Sequence, residues 1–241
     1  MRLFKIAYLF VAFLCFQTTG YCQIHFISLG RDCEVAFNLR QFNLRRNPYP
    51  FDWLASDNFS GIMLAINDDL QYLLNPNLLI HKGFYIENIL YQFKYNHFFP
   101  IVGKPLTEEV FESGQIVPNF LKFLPYVKSI QNIRIENFFK TLSSVNDKII
   151  FIRTHATPNE SEEFVQLIKK KYPNLDFHLV VVHERTDLIG NWNIPHVINF
   201  YTTTKKAIFP GWWHSSEWNN IFNHIINLFN NDNQKSDPNE S

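Results

Sequence analysis

Cysteine, glycine and net charge are what this sequence is short of. Three cysteines, Cys15, Cys22 and Cys33, in 241 residues are too few to frame a fold on disulfides. Eight glycines form no phosphate-cradling loop, and Gly30 by itself marks a turn. Lys and Arg total 22, as do Asp and Glu, so the formal net charge is zero. That balance argues against a nucleic-acid partner, which a concentrated basic face would serve. The nine histidines show no H-E-x-x-H spacing, and C-x-x-C is absent too. Neither a metal nor a cofactor is therefore expected. Long apolar runs are also missing save one, at the N-terminus.

What is present is a chain that can build a core. It is 46% hydrophobic and 17% aromatic, which excludes disorder for its bulk. Its length suits one domain with an insertion, and no internal repeat is visible. The one long apolar run, Ile6 to Phe16, follows Arg2 and Lys5 and precedes Gly20-Tyr21-Cys22. A basic start, an apolar stretch of this length and small residues at −3 and −1 are the anatomy of a secretory signal peptide. The run is too short to span a bilayer, which takes about 20 apolar residues. Residues 1–22 are therefore read as a signal peptide, with the mature protein beginning near Gln23 and exported, periplasmic or secreted. A retained N-terminal membrane anchor is the alternative. Cleavage removes two basic residues and leaves a net charge of −2 and a single cysteine, Cys33. No stable membrane span is expected after cleavage.

Hydrophobic spacing then divides the remainder. Ile24 to Leu29 reads as a strand ending at Gly30. Val35, Leu39 and Phe42 follow at helical spacing, with Asp32 as N-cap. Pro48 and Pro50 hold the chain extended. Helical spacing returns from Ser56 to Leu74. Tyr91, Phe93, Tyr95 and His97 alternate with polar residues as in a half-buried strand. Pro100 to Ser144 is mixed, with helices expected around Glu108 and Ile135.

Lys148 to Arg153 and Phe177 to Val182 read as apolar strands, and His196 to Tyr201 as a third. Thr157-Pro158-Asn159-Glu160 sets a capping box with proline at the first helical position. Trp218, Phe222, Ile225 and Phe229 share one face of a closing helix. Strand–helix–strand with continuous apolar strands implies a parallel sheet covered on both faces. The expected fold is α/β, a single domain over 23–229 with an irregular α+β insertion at about 55–145. A disordered tail is expected over 230–241.

Chemistry points first to Cys33. A thiol in a helix's first turn feels the positive end of the helix dipole, which favours thiolate. The carboxyl end of a strand feeding a helix is also where open α/β sheets bind ligands. Arg31 favours the thiolate, whereas Asp32 and Glu34 oppose it. The competing reading is a small buried core residue.

Three blocks around this cysteine narrow the choice. Ser28-Leu29-Gly30-Arg31-Asp32-Cys33, then Ala36, Leu39 and Leu44-Arg45, then Pro50-Phe51-Asp52-Trp53 resemble a family of unknown function described as papain-like cysteine peptidases. Tyr95-Asn96-His97-Phe98-Phe99 resembles its histidine segment, although Phe98 stands where an acidic residue usually follows. Phe151-Ile152-Arg153 and the Trp213 and Trp218 pair fit its later segments loosely. The resemblance implies a thiol hydrolase or acyl transferase, most simply a peptidase, acting on a peptide or acyl substrate. It implies Cys33 as nucleophile, His97 as base and Asp52 as the group that orients the imidazole.

Each role has a rival. His97 can be a satisfied core histidine. Asp52 can instead pair with Arg45 or Arg46 and pin the turn. His155, just beyond the Lys148–Arg153 strand, is the competing base because it reaches the same sheet edge as Cys33. The rival function is a carbohydrate-handling or glycan-binding α/β domain with a structural Cys33. The tryptophans of Ile208 to Trp218 motivate it, since aromatic clusters with polar tips also line sugar sites.

Overall fold

The fold was obtained as a computed structural model that describes residues 23–104, 114–183, 190–202 and 216–234. The signal-peptide segment, Glu108 and Trp213 lie outside these residues, as do residues 235–241 of the expected tail, whereas 230–234 of that tail lie in the closing helix. Two four-stranded sheets organise the chain. The first is parallel, in the order β1 (Ile24–Ser28), β6 (Lys148–Thr154), β7 (Asp176–His183), β8 (Val197–Tyr201). The second is antiparallel, in the order β2 (Ala55–Ser56), β5 (Phe93–Tyr95), β4 (Ile86–Asn88), β3 (Leu79–His81). The architecture is thus mixed α/β, as the apolar strands implied.

Every residue of β6 is buried, as a central parallel strand with both faces covered requires. Its side chains alternate between two apolar layers. Ile150 and Ile152 join Phe26, Val180 and Val182 under α1 (Glu34–Gln41) and α5 (Ser216–Gln234). Ile149 and Phe151 join Ile27, Phe177 and Leu179 on the opposite face. That face is covered by α4 (Pro158–Lys171), α2 (Phe59–Asn67) and α3 (Leu124–Leu142). Trp218, Phe222, Ile225 and Phe229 of α5 are all buried. The capping box forms: the Thr157 hydroxyl accepts from the Glu160 N–H, and the Glu160 carboxylate accepts from the Thr157 N–H.

The insertion departs from its spacing in two places. The helix predicted from Ser56 to Leu74 ends at Asn67, because Asp69 and Leu70 turn left-handed (φ 54° and 61°). Leu70 and Leu73 reach the core from that turn rather than from a helix face. Likewise the alternation through Tyr91 spans a bend at Gln92 (φ 57°), and β5 keeps only three residues. Side chains supply what these short strands lack. The Asn88 amide donates to the carbonyls of Tyr72 and Leu73 and accepts from the N–H groups of Leu90 and Tyr91. Helix α2 packs so closely that a Cβ at Gly61 would lie 2.0 Å from the Tyr91 carbonyl oxygen. Among the described residues, no helix is long and apolar enough to cross a membrane.

Candidate functional site at the sheet edge

The candidate site lies beyond the carboxyl ends of β1 and β6. Parallel pairing brings Ser28 beside Ile152, and the ladder closes with the Leu29 N–H donating to the Ile152 carbonyl at 2.8 Å. Both strands then turn sharply. Gly30 and Arg31 adopt φ 73° and 74°, and His155 adopts φ 56°. Left-handed backbone costs a non-glycine residue about 1 kcal/mol, and such strain gathers at functional sites. Gly30 has a second constraint, since a Cβ there would sit 3.2 Å from Ser56 Oγ and 3.3 Å from the Leu54 carbonyl oxygen.

Cys33 caps α1, and its carbonyl accepts the Phe37 N–H at 2.9 Å. Asp32 does the satisfying work one residue earlier: its Oδ1 accepts the Glu34 N–H at 3.0 Å. The thiol is free of any disulfide and 8% exposed. Burial, followed by the charge of Asp32, pushes it up to about 12. At neutral pH it is therefore a thiol, and desolvation outweighs the helix dipole.

The other expected residues lie as follows. His97 is half-buried in the bend after β5. His155 is half-buried just past β6, its N–H donating to the Val182 carbonyl at 2.9 Å. Among the described residues, no side-chain hydrogen bond joins Cys33 to either ring. Asp52 is fully buried, and its Oδ2 accepts from Arg45 Nε and from the Tyr49 N–H, each at 2.8 Å. Burial pushes its carboxyl up, against the pull of Arg45. Asp52 thus makes the contact with Arg45 that one of its two readings expected. No hydrogen bond links it to His97. Trp218 is a buried core residue whose Nε1 donates to Glu34 Oε1 at 2.9 Å.

Sequence reading missed Arg153, which with Lys148 brackets the apolar centre of β6. Its side chain is fully buried. Nη1 donates to the Leu29 carbonyl (2.9 Å) and Ser56 Oγ (3.0 Å), and Nη2 donates to the Ser56 carbonyl (2.9 Å). The guanidinium lies 4.5 Å from the Phe59 ring centroid, and Nε has no partner. Burial lowers it to about 9, partly offset by Glu160, with Arg31, Asp32 and Asp57 also in its field. Ser56 completes the knot by exchanging bonds with Arg31: its Oγ accepts the Arg31 N–H at 3.0 Å, and its N–H donates to the Arg31 carbonyl at 3.1 Å. Arg153 therefore fixes the turn that carries Cys33. The signal available beforehand was a cation at the carboxyl end of the run KIIFIR, which an apolar strand does not need.

Similarity to known proteins follows the same residues. The chain matches, over residues 24–186, the family described as "Putative papain-like cysteine peptidase (DUF1796)", and it belongs to that family. It is also similar to "Uncharacterized protein R408" of Acanthamoeba polyphaga mimivirus, with 26% identity over 219 residues. That likeness covers 78% of this chain and 91% of the viral protein. No solved structure matches.

Proposed function

We propose that the protein is an exported cysteine hydrolase, most simply a peptidase, in which Cys33 attacks the acyl carbon. The carrying observation is the placement of Cys33 at the start of α1, on the carboxyl edge of the parallel sheet, within the family match. Its burial changes the expected mechanism. A thiol at about 12 does not rest as a thiolate–imidazolium pair, so its proton must leave as the sulfur attacks. A histidine takes that proton and returns it to the leaving amine, and water then hydrolyses the thioester. His97 is the base by resemblance. His155 competes, supported by its strained backbone at the same edge as Cys33.

Export is supported by the basic and apolar start of the chain. It is also supported by the Gln23 N–H, which donates to Asp147 Oδ1 at 3.0 Å. Cleavage before Gln23 would set a new α-ammonium against that carboxylate. Mass spectrometry of the secreted protein should find Gln23 first.

Peptidyl vinyl sulfones of varied side chain test the chemistry by intact mass. The expected adduct forms on Cys33 and is lost in Cys33→Ala. It is also slowed at least about a hundredfold in one of His97→Gln and His155→Gln but not the other. Iodoacetamide, which recruits no base, should label Cys33 more slowly than a free cysteine peptide across pH 6 to 9. Adducts that form equally well in both histidine variants, or on other residues only, would refute the reading.

A further inference from the structure

Arg31 stands two residues before Cys33, and its backbone is fixed more firmly than its side chain is occupied. Its N–H donates to Ser56 Oγ at 3.0 Å, and its carbonyl accepts the Ser56 N–H at 3.1 Å. The residue so clamped is left-handed, with φ 74°. Glycine would hold that conformation without the roughly 1 kcal/mol that a side chain costs there. The chain places an arginine at this point instead.

The Arg31 side chain is 30% exposed, and among the described residues its guanidinium makes no hydrogen bond. Its ion pair with Asp32 Oδ2 is loose, at 3.8 Å, while Asp32 Oδ1 already accepts the Glu34 N–H. The other acids around this edge have partners of their own. Lys94 holds Asp57, Trp218 Nε1 donates to Glu34, and the Thr157 N–H and hydroxyl donate to Glu160. Asp57 is lowered first by Lys94 and in turn by Arg31, and Arg153, lowered mainly by burial, feels Arg31 as well. Those two neighbours locate the guanidinium beside β2, over the turn that carries Cys33.

A guanidinium carries five N–H donors in a planar fork that meets a carboxylate through two parallel bonds. We infer, resting on the peptidase reading, that Arg31 makes the Cys33 edge selective for substrates with a carboxylate close to the bond that is cut. The Arg31 and Cys33 Cα atoms lie at most about 7.6 Å apart, a span that an extended peptide crosses in roughly two residues. The carboxylate is therefore an acidic side chain next to the cut bond, or the free C-terminus of a short leaving segment.

Two sets of probes separate these sources in the full chain. Peptidyl vinyl sulfones carrying Glu or Gln, at the first or the second residue before the warhead, report the side chain through the rate of the Cys33 adduct. Short peptides ending in a carboxylate or a carboxamide, competing with an all-alanine vinyl sulfone, report the C-terminus. In one set the carboxylate form should lead its amide by roughly tenfold or more. Arg31→Gln should abolish that preference, Arg31→Lys should keep part of it, and Lys169→Gln should leave it whole. Arg31→Gly, in which the left-handed turn is relieved, should abolish it too, so strain at this position is not the cause. Equal behaviour of acid and amide in both sets, or a preference that survives in Arg31→Gln and Arg31→Gly, would overturn the inference. Cys33 adducts with the all-alanine probe would still uphold the peptidase reading in that event. No adduct on Cys33 with any probe would overturn both.

Discussion

The parallel sheet and the antiparallel insertion are held together by different means. In the parallel half, backbone ladders and continuous apolar strands do most of the work, and β6 is buried along its whole length. In the insertion, strands of two or three residues are too short to stand alone. Side chains such as Asn88, and close approaches such as Gly61 on Tyr91, replace the missing ladder. One apolar cluster runs through both halves, and Arg153 ties them with hydrogen bonds to Leu29 and Ser56. The lesson is that the half with weak local patterning depends on individual side-chain bonds, whereas the patterned half spreads its stability over ladders and a continuous apolar core.

Gly61→Ala should break the contrast most. A methyl 2.0 Å from a backbone carbonyl cannot be relieved by a rotamer change, so α2 must lift from the antiparallel sheet. A loss of about 3 kcal/mol or more is expected in urea denaturation. Hydrogen exchange should show β3 to β5 deprotected while β6 and β7 stay protected. Equal loss in both sheets would mean that the halves unfold as one unit.

Arg153→Met attacks the tie itself. Removing the guanidinium strands the buried carbonyls of Leu29 and Ser56, yet it also removes a poorly solvated charge. A net loss of about 2–3 kcal/mol is expected, together with faster exchange of the Arg31 and Ser56 amides. A variant as stable as the parent would mean that the turn holds without it.

Thr157→Ala tests the patterned half. It removes one side of the capping box and should cost about 1 kcal/mol, spread over α4 without loosening the insertion.

The smallest effect concerns acid. Burial works against the Asp147 carboxylate, but Ser144, the Gln23 N–H and His25 hold it below its ordinary 3.8. A carboxylate lowered on folding lends stability above 3.8 that disappears as pH falls through the folded value. Asp147→Asn should therefore lower Tm at pH 7 and flatten the acid limb, so that the Tm-against-pH curves of variant and parent converge as pH falls well below 3.8. An unaltered acid limb would show that other carboxylates dominate it.

Much of this molecule could be read before any coordinates. The strands of the parallel sheet, the Thr157–Glu160 capping box and the buried face of α5 each follow from periodicity or cap chemistry, because those forces act between residues close in sequence. Cys33 at a strand-to-helix turn was readable for the same reason. Tertiary structure decided the rest. Whether the Cys33 thiol ionises depends on how much water reaches it, and the core packed against α1 sets that. Whether Asp52 faces an imidazole or a guanidinium depends on a turn closing over Arg45. Arg153 reaches Leu29 and Ser56, 124 and 97 positions away, and no spacing rule connects them. Local forces wrote the elements into the chain; long-range burial and charge, which act only once those elements meet, set the surroundings of Cys33 at the start of α1.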